Sequence, residues 1–90
     1  MRTTYDPVKR LRTIAERGLD MAEAGAVFDG DHITFADDRR VYGEPRFITV
    51  GFLRRRMVLV AWTPREASRR IISMRKANER EQKAYGTRFA

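Results

Sequence analysis

Val8, Leu11, Ile14 and Ala15 recur at helical spacing near the start of the chain. Asp6 stands where an N-cap belongs, Pro7 at the first helical position, and Gly18 where a left-handed residue ends a helix. The pattern predicts a helix over 7–17. Asp20-Met21-Ala22-Glu23 has capping-box form with Asp at the N-cap, and Met21, Ala24, Val27 and Phe28 supply one apolar face. A second helix is predicted over 21–28, weakened by Gly25 and ended by Asp29-Gly30. The period then changes. His32 to Phe35 alternates as a half-buried strand does, and 36–45 reads as a loop. Arg46 to Leu53 is β-rich, Arg54-Arg55 is the expected turn, and Arg56 to Thr63 is the returning strand of an antiparallel hairpin. That strand is apolar at both alternating sets, Met57, Leu59, Ala61 and Val58, Val60, Trp62, so it is expected to be central and covered on both faces. Pro64 is expected to end it, and Arg69 to Ser73 forms a further short strand after a loop over 64–68. Asn78 with Glu81 makes a second capping box and opens a helix over 79–86, poor in apolar residues beyond Ala84 and Tyr85. The order is α-α-β-β-β-β-α. It predicts an α+β two-layer fold: two N-terminal helices, an antiparallel sheet of about four strands and a C-terminal helix.

With 90 residues the chain is one domain, 1–90, with a thin core. It has no cysteine, which excludes disulfides, thiolate metal sites and a cysteine nucleophile, and its one histidine, His32, cannot build a multi-histidine metal site. No apolar run approaches the ~20 residues of a membrane span, and the opening MRTTYDPVKR lacks a signal core. The expectation is a soluble cytoplasmic protein with no cofactor. Charge changes the picture most. Nineteen basic residues face twelve acidic ones, a net charge of +7, and sixteen of the nineteen are arginine. Arginine's planar fork suits bidentate phosphate contacts and stacking on bases. Residues 1–19 carry +3, residues 20–44 carry −5 and residues 45–90 carry +9. Such a footprint points first to a nucleic-acid partner, and the acidic middle to a second surface.

Most enzyme templates fail: there is no GxGxxG, P-loop or HExxH, and no Ser-His-Asp set forms around His32, which reads as a surface or edge-strand residue. What remains is a group of cations at strand ends, Arg46, Arg65, Arg69, Arg70, Arg75 and Lys76, where a sheet displays functional side chains. RNA transphosphorylation needs no histidine, cysteine or metal. The ribose 2′-OH is the nucleophile, arginines stabilise the developing charge, and Glu81 or Glu44 takes the proton. Glu81 also reads as a helix cap. Trp62 offers a stacking platform for a base, although a lone Trp in an apolar strand is first a core residue.

These residues resemble the BrnT family of bacterial type II toxins, small RelE-like ribonucleases, over nearly the whole chain. The likeness is carried by Tyr5-Asp6-Pro7 with Lys9, Gly18 with the segment Asp20–Phe28, Asp29, Glu44, Arg46, Gly51, and Thr63 with Arg65. Its most specific part is the block Arg70-Ile71-Ile72-Ser73-Met74-Arg75-Lys76-Ala77 with Glu81 and Tyr85. The resemblance implies a RelE-like α+β fold, RNA cleavage that arrests translation, and a BrnA-like antitoxin with a ribbon-helix-helix domain, through which alone DNA is contacted. It implies Arg65, Arg75 and Glu81 as catalytic residues, Arg65 and Arg75 holding the scissile phosphate, with Arg46, Arg70, Lys76 and Arg17 as further RNA or phosphate contacts and no metal. The antitoxin is expected to cover the Arg65/Arg75 side. The chain departs from the family where Glu16-Arg17-Gly18 replaces Lys-His-Gly and Thr13 stands for Asn. The alternative function follows from that departure: a detoxified or non-catalytic module that binds RNA or the antitoxin without cleaving.

Overall fold

The computed structural model describes residues 2–89. Helix α1 runs from Pro7 to Arg17 as the caps predict. The Asp6 carboxylate accepts from the Val8 N–H at 2.9 Å, and Gly18, at φ 67, donates to the Ile14 carbonyl. The next segment is not one helix. Met21–Glu23 is a 3-10 turn and Ala24–Asp29 forms α2. Asp20 explains the tight start. Its carboxylate accepts from the Ala22 N–H at 2.9 Å and from two Arg10 nitrogens at 2.7 and 2.9 Å, which ties the turn to α1. Met21, Ala24 and Val27 all become buried against the sheet.

The sheet has five strands: β1 (Arg2–Thr4), β2 (Ile33–Ala36), β3 (Phe47–Leu53), β4 (Arg56–Arg65) and β5 (Ser68–Lys76), in the order β1-β5-β4-β3-β2. Helix α3 (Glu79–Gly86) follows. The expected all-antiparallel sheet of about four strands is thus corrected to a mixed sheet, because β1 joins β5 in parallel. β1 was not legible: Arg2-Thr3-Thr4 has no apolar alternation, and backbone pairing with Ser68–Arg70 holds it. Pro64 does not end β4. β3 stops opposite Trp62, so beyond that point β4 has no neighbour on one side and a residue without an N–H breaks no ladder there. The expected 64–68 loop shrinks to the turn Glu66-Ala67, and β5 is longer than predicted at both ends. Arg54 and Arg55 form the predicted hairpin turn with φ 51 and 67, both in the left-handed region that such turns require.

Helices cover both faces of the sheet, so the domain has three layers where two were expected. Val58, Val60, Ile71, Met74 and Leu53 pack under Leu19, Met21, Ala24 and Val27 on the α1/α2 side. Ile48, Val50, Met57 and Leu59 meet Ala77, Tyr85 and Phe89 on the α3 side. Gly51 lets α2 approach: a Cβ there would lie 2.7 Å from Val27 Cγ1. Trp62 is half-buried and packs against the core, with its ring edge-on to Phe28 and its Nε1–H donating to Thr49 Oγ1 at 2.8 Å. The register shift between Ala61 and Trp62 makes Ile72 an extra residue on β5. After this bulge the alternation is offset, so Arg70 and Ser68 share a face with Ser73 and Arg75 while Ile71 enters the core.

Candidate functional site

The α3 face of the sheet carries a cavity of about 300 Å³. Its floor is Ile48, Leu59, Ala61 and Ser73. One wall is Phe35 with Tyr85, whose rings stack at 5.9 Å and 21°. Arg75 and Glu81 form another side, and the turn Asp37-Asp38-Arg39 closes the rim.

Arg75 reaches this position because β5 ends with alternating side chains and Ala77-Asn78 turns the chain directly into α3. Asn78 caps the helix by accepting from the Glu81 N–H at 2.8 Å. Glu81 returns a bond by accepting from the Asn78 N–H at 2.9 Å. The same carboxylate accepts from both terminal nitrogens of Arg75, each at 2.7 Å. The cap and the guanidinium clamp are therefore one structure. The Arg75 guanidinium, helped by the Asn78 N–H, holds the Glu81 carboxyl down at about 2 against the cost of burial, and Arg75 is raised in turn. A carboxylate so acidic is a poor proton acceptor at neutral pH, so between the two readings of Glu81 the geometry favours the organiser of Arg75.

Across the cavity, Asp37 and Arg39 repeat the arrangement. Arg39 donates to the two Asp37 oxygens at 2.7 and 2.9 Å. The Asp37 side chain is only 3 % exposed while that of Arg39 is 72 % exposed, so a buried carboxylate presents an open cation. Arg39 lowers the Asp37 carboxyl to about 2, with the Tyr42 hydroxyl contributing. Arg39 is near enough to Arg75 for its charge to oppose that of Arg75. Sequence reasoning missed Arg39, which lay in a stretch read as loop. The available signal was the acidic-then-basic run Asp37-Asp38-Arg39-Arg40 immediately after a strand.

The other expected residues fall into two groups. Arg65, Arg46 and Arg70 lie toward the far end of the same sheet face. Arg65 donates to Glu44 Oε2 at 2.6 Å, which lowers the Glu44 carboxyl. Arg46 stands 4.0 Å from Glu44 Oε1 and 4.0 Å over the Tyr42 ring. Thr63 donates to the Pro45 carbonyl at 2.6 Å. Arg75 is paired with Leu59 and Arg65 lies six residues further along β4, so roughly 20 Å of strand separates them. They share a face and not a cavity, and the arrangement does not offer one phosphate to both. Lys76 and Arg17 belong to the opposite face: Lys76 Nζ lies close to Gly18, and Arg17 donates to the Met74 carbonyl at 2.9 Å. His32 is exposed, bound to the Gly30 carbonyl at 2.8 Å and edge-on to Phe28 on the α2 side, and does not line the cavity. No helix among the described residues is long and apolar enough to cross a membrane.

The family model for the ribonuclease toxin BrnT of type II toxin–antitoxin systems matches residues 5–81. The chain belongs to the BrnT toxin family. It is thus a ribonuclease toxin whose system includes a neutralising antitoxin, and the matched segment spans every strand from β2 to β5 and reaches Glu81. No curated protein matches the chain. The α3 cavity thus sets two clamped cations, Arg39 and Arg75, beside the Phe35–Tyr85 pair over a floor of Ile48, Leu59, Ala61 and Ser73.

Proposed function

We propose that the α3 cavity is the RNA-cleaving site and that Arg75 is its central phosphate-binding group. The bidentate clamp of Glu81 on Arg75 carries this reading, because it fixes a cation where charge would develop and leaves 43 % of the Arg75 side chain open to a ligand. The reaction is transphosphorylation: the ribose 2′-oxygen bonds to phosphorus, the P–O5′ bond breaks to leave a 2′,3′-cyclic phosphate, and the proton given up by the 2′-OH to water is made good on the departing 5′-oxygen, with Arg75 and Arg39 stabilising the phosphorane from two sides and Glu81 positioning Arg75. Phe35 and Tyr85 offer ring faces to a neighbouring base. Arg46, Arg65 and Arg70 hold phosphates further along the same strand of RNA. The reaction is metal-independent. The antitoxin is BrnA-like with a ribbon-helix-helix domain, and the pair acts in the cytoplasm.

The detoxified alternative rests on Glu16-Arg17. Those residues sit on α1, with strand β5 between them and the cavity, so the departure leaves Arg75, Glu81 and Arg39 intact. The test is induced expression in a bacterial host. Wild type arrests growth and degrades RNA. Arg75→Ala abolishes both while its circular dichroism matches wild type; Arg39→Ala reduces cleavage by about tenfold or more, as loss of one charged contact does. Full toxicity of Arg75→Ala overturns the site, and an inactive purified wild type supports the alternative.

A further inference from the structure

Helix α1 leaves its apolar stripe unburied. Thr13 is its buried residue, and two of its ties to the body are polar: Arg10 on Asp20, and Arg17 on the Met74 carbonyl. Val8 and Leu11 are 64 % and 63 % exposed and Ile14 is 39 % exposed. The stripe predicted from the sequence therefore exists and points outward. Side chains three and four apart form one continuous helix face, and leaving that face in water forgoes the burial that normally stabilises such a helix. Lys9 and Arg12 lie beside it, and neither is paired with a carboxylate among the described residues.

We infer that this face of α1, and not the Arg65/Arg75 side expected from the sequence, is the docking surface for the antitoxin, and that the docking element is an amphipathic helix with acidic flanks. The existence of a partner rests on the toxin–antitoxin reading; its place and chemistry come from α1. Charge selects the occupant. The chain carries +7 overall and α1 itself has four basic residues to one acidic, so a second copy would set like charges together while an acidic helix gains from them. The basic flank of α1, on the side of the helix away from Leu11, also lies close to the chemistry. Lys9, Arg12 and Ser73 line a groove between α1 and β5, and Ser73 lines the cavity as well. A partner that lies on the stripe and continues over this flank meets β5, whose other face carries the cavity.

The test titrates the full chain with its cognate antitoxin and co-expresses the two. Leu11→Asp, at an exposed position, is expected to weaken binding about 100-fold and to restore growth arrest in the co-expressing host, while free Leu11→Asp cleaves RNA at the wild-type rate. Arg12→Glu is expected to weaken binding about tenfold and to flatten its salt dependence. Wild-type affinity in both variants overturns the surface and leaves the partner reading standing. Failure of wild type to bind at all overturns the partner reading, and this inference with it. A wild-type dimer that Leu11→Asp dissociates, with antitoxin binding unaltered, assigns the face to a second copy and also overturns the inference.

Discussion

Replacing Glu81 with Gln keeps the shape of the α3 cap and removes the charge that holds Arg75. In the folded chain the carboxyl sits at about 2, against 4.5 for the free side chain, with the Arg75 hydrogen bonds as the largest cause. Taken at face value, that depression corresponds to roughly 3 kcal/mol. The Arg75 side chain is 43 % exposed and that of Glu81 20 %, so water screens the pair, and about 1–2 kcal/mol is the expected loss. For a domain of this size that is a fall in Tm of about 5–10 °C. The sign fixes the pH window. A carboxyl whose folded value is depressed contributes fully above its unfolded value and loses that contribution as pH falls toward the folded one. Urea unfolding of wild type and Glu81→Gln is expected to differ by the full amount at pH 7, by less between pH 4.5 and about 2, and by nothing below that range. A difference that is the same at every pH, or absent at pH 7, refutes the clamp. RNA cleavage supplies a second readout. Glu81→Gln is expected to lower the rate through a loosened Arg75 without changing the shape of the pH–rate profile, and loss of an acid limb from that profile would make Glu81 the proton acceptor instead.

Two further predictions concern the scaffold. Gly51→Ala places a methyl 2.7 Å from Cγ1 of the fully buried Val27 and 3.3 Å from the Asp31 carbonyl, so it is expected to destabilise by about 1–3 kcal/mol, measured by chemical denaturation. Arg55→Gly relieves a φ of 67 in the β3–β4 turn at an exposed position and is expected to stabilise by about 1 kcal/mol, seen as a raised Tm; an unchanged or lower Tm contradicts the strain.

Local signals located most of the elements. Asp6, Gly18 and the Asn78/Glu81 box act through bonds between residues a few positions apart, so α1 and α3 were readable, as were the two long strands through their apolar alternation. What depended on distant partners was not. β1 is made by pairing with β5, the persistence of β4 through Pro64 depends on where β3 stops, and the bulge at Ile72 alone decides that Arg70 and not Ile71 faces the α3 side. The outward turn of α1 belongs to the same class: periodicity identifies an apolar face without saying what it meets. At the site, Arg75 with Glu81 was legible because capping and clamping use the same short spacing. The distance between Arg65 and Arg75, and the presence of Arg39 opposite Arg75, required the register of the sheet and the path of the 37–45 segment.

Titration of 15N-labelled protein with a short RNA whose ribose 2′-OH groups are methylated, so that it binds without being cut, tests most directly where the substrate lies. Amide and guanidinium signals of Arg39, Ser73, Arg75 and Tyr85 are expected to shift together and saturate at one concentration, with smaller changes at Arg46 and Arg65. Shifts confined to the α1 and α2 side, with the α3 cavity silent, would contradict the account.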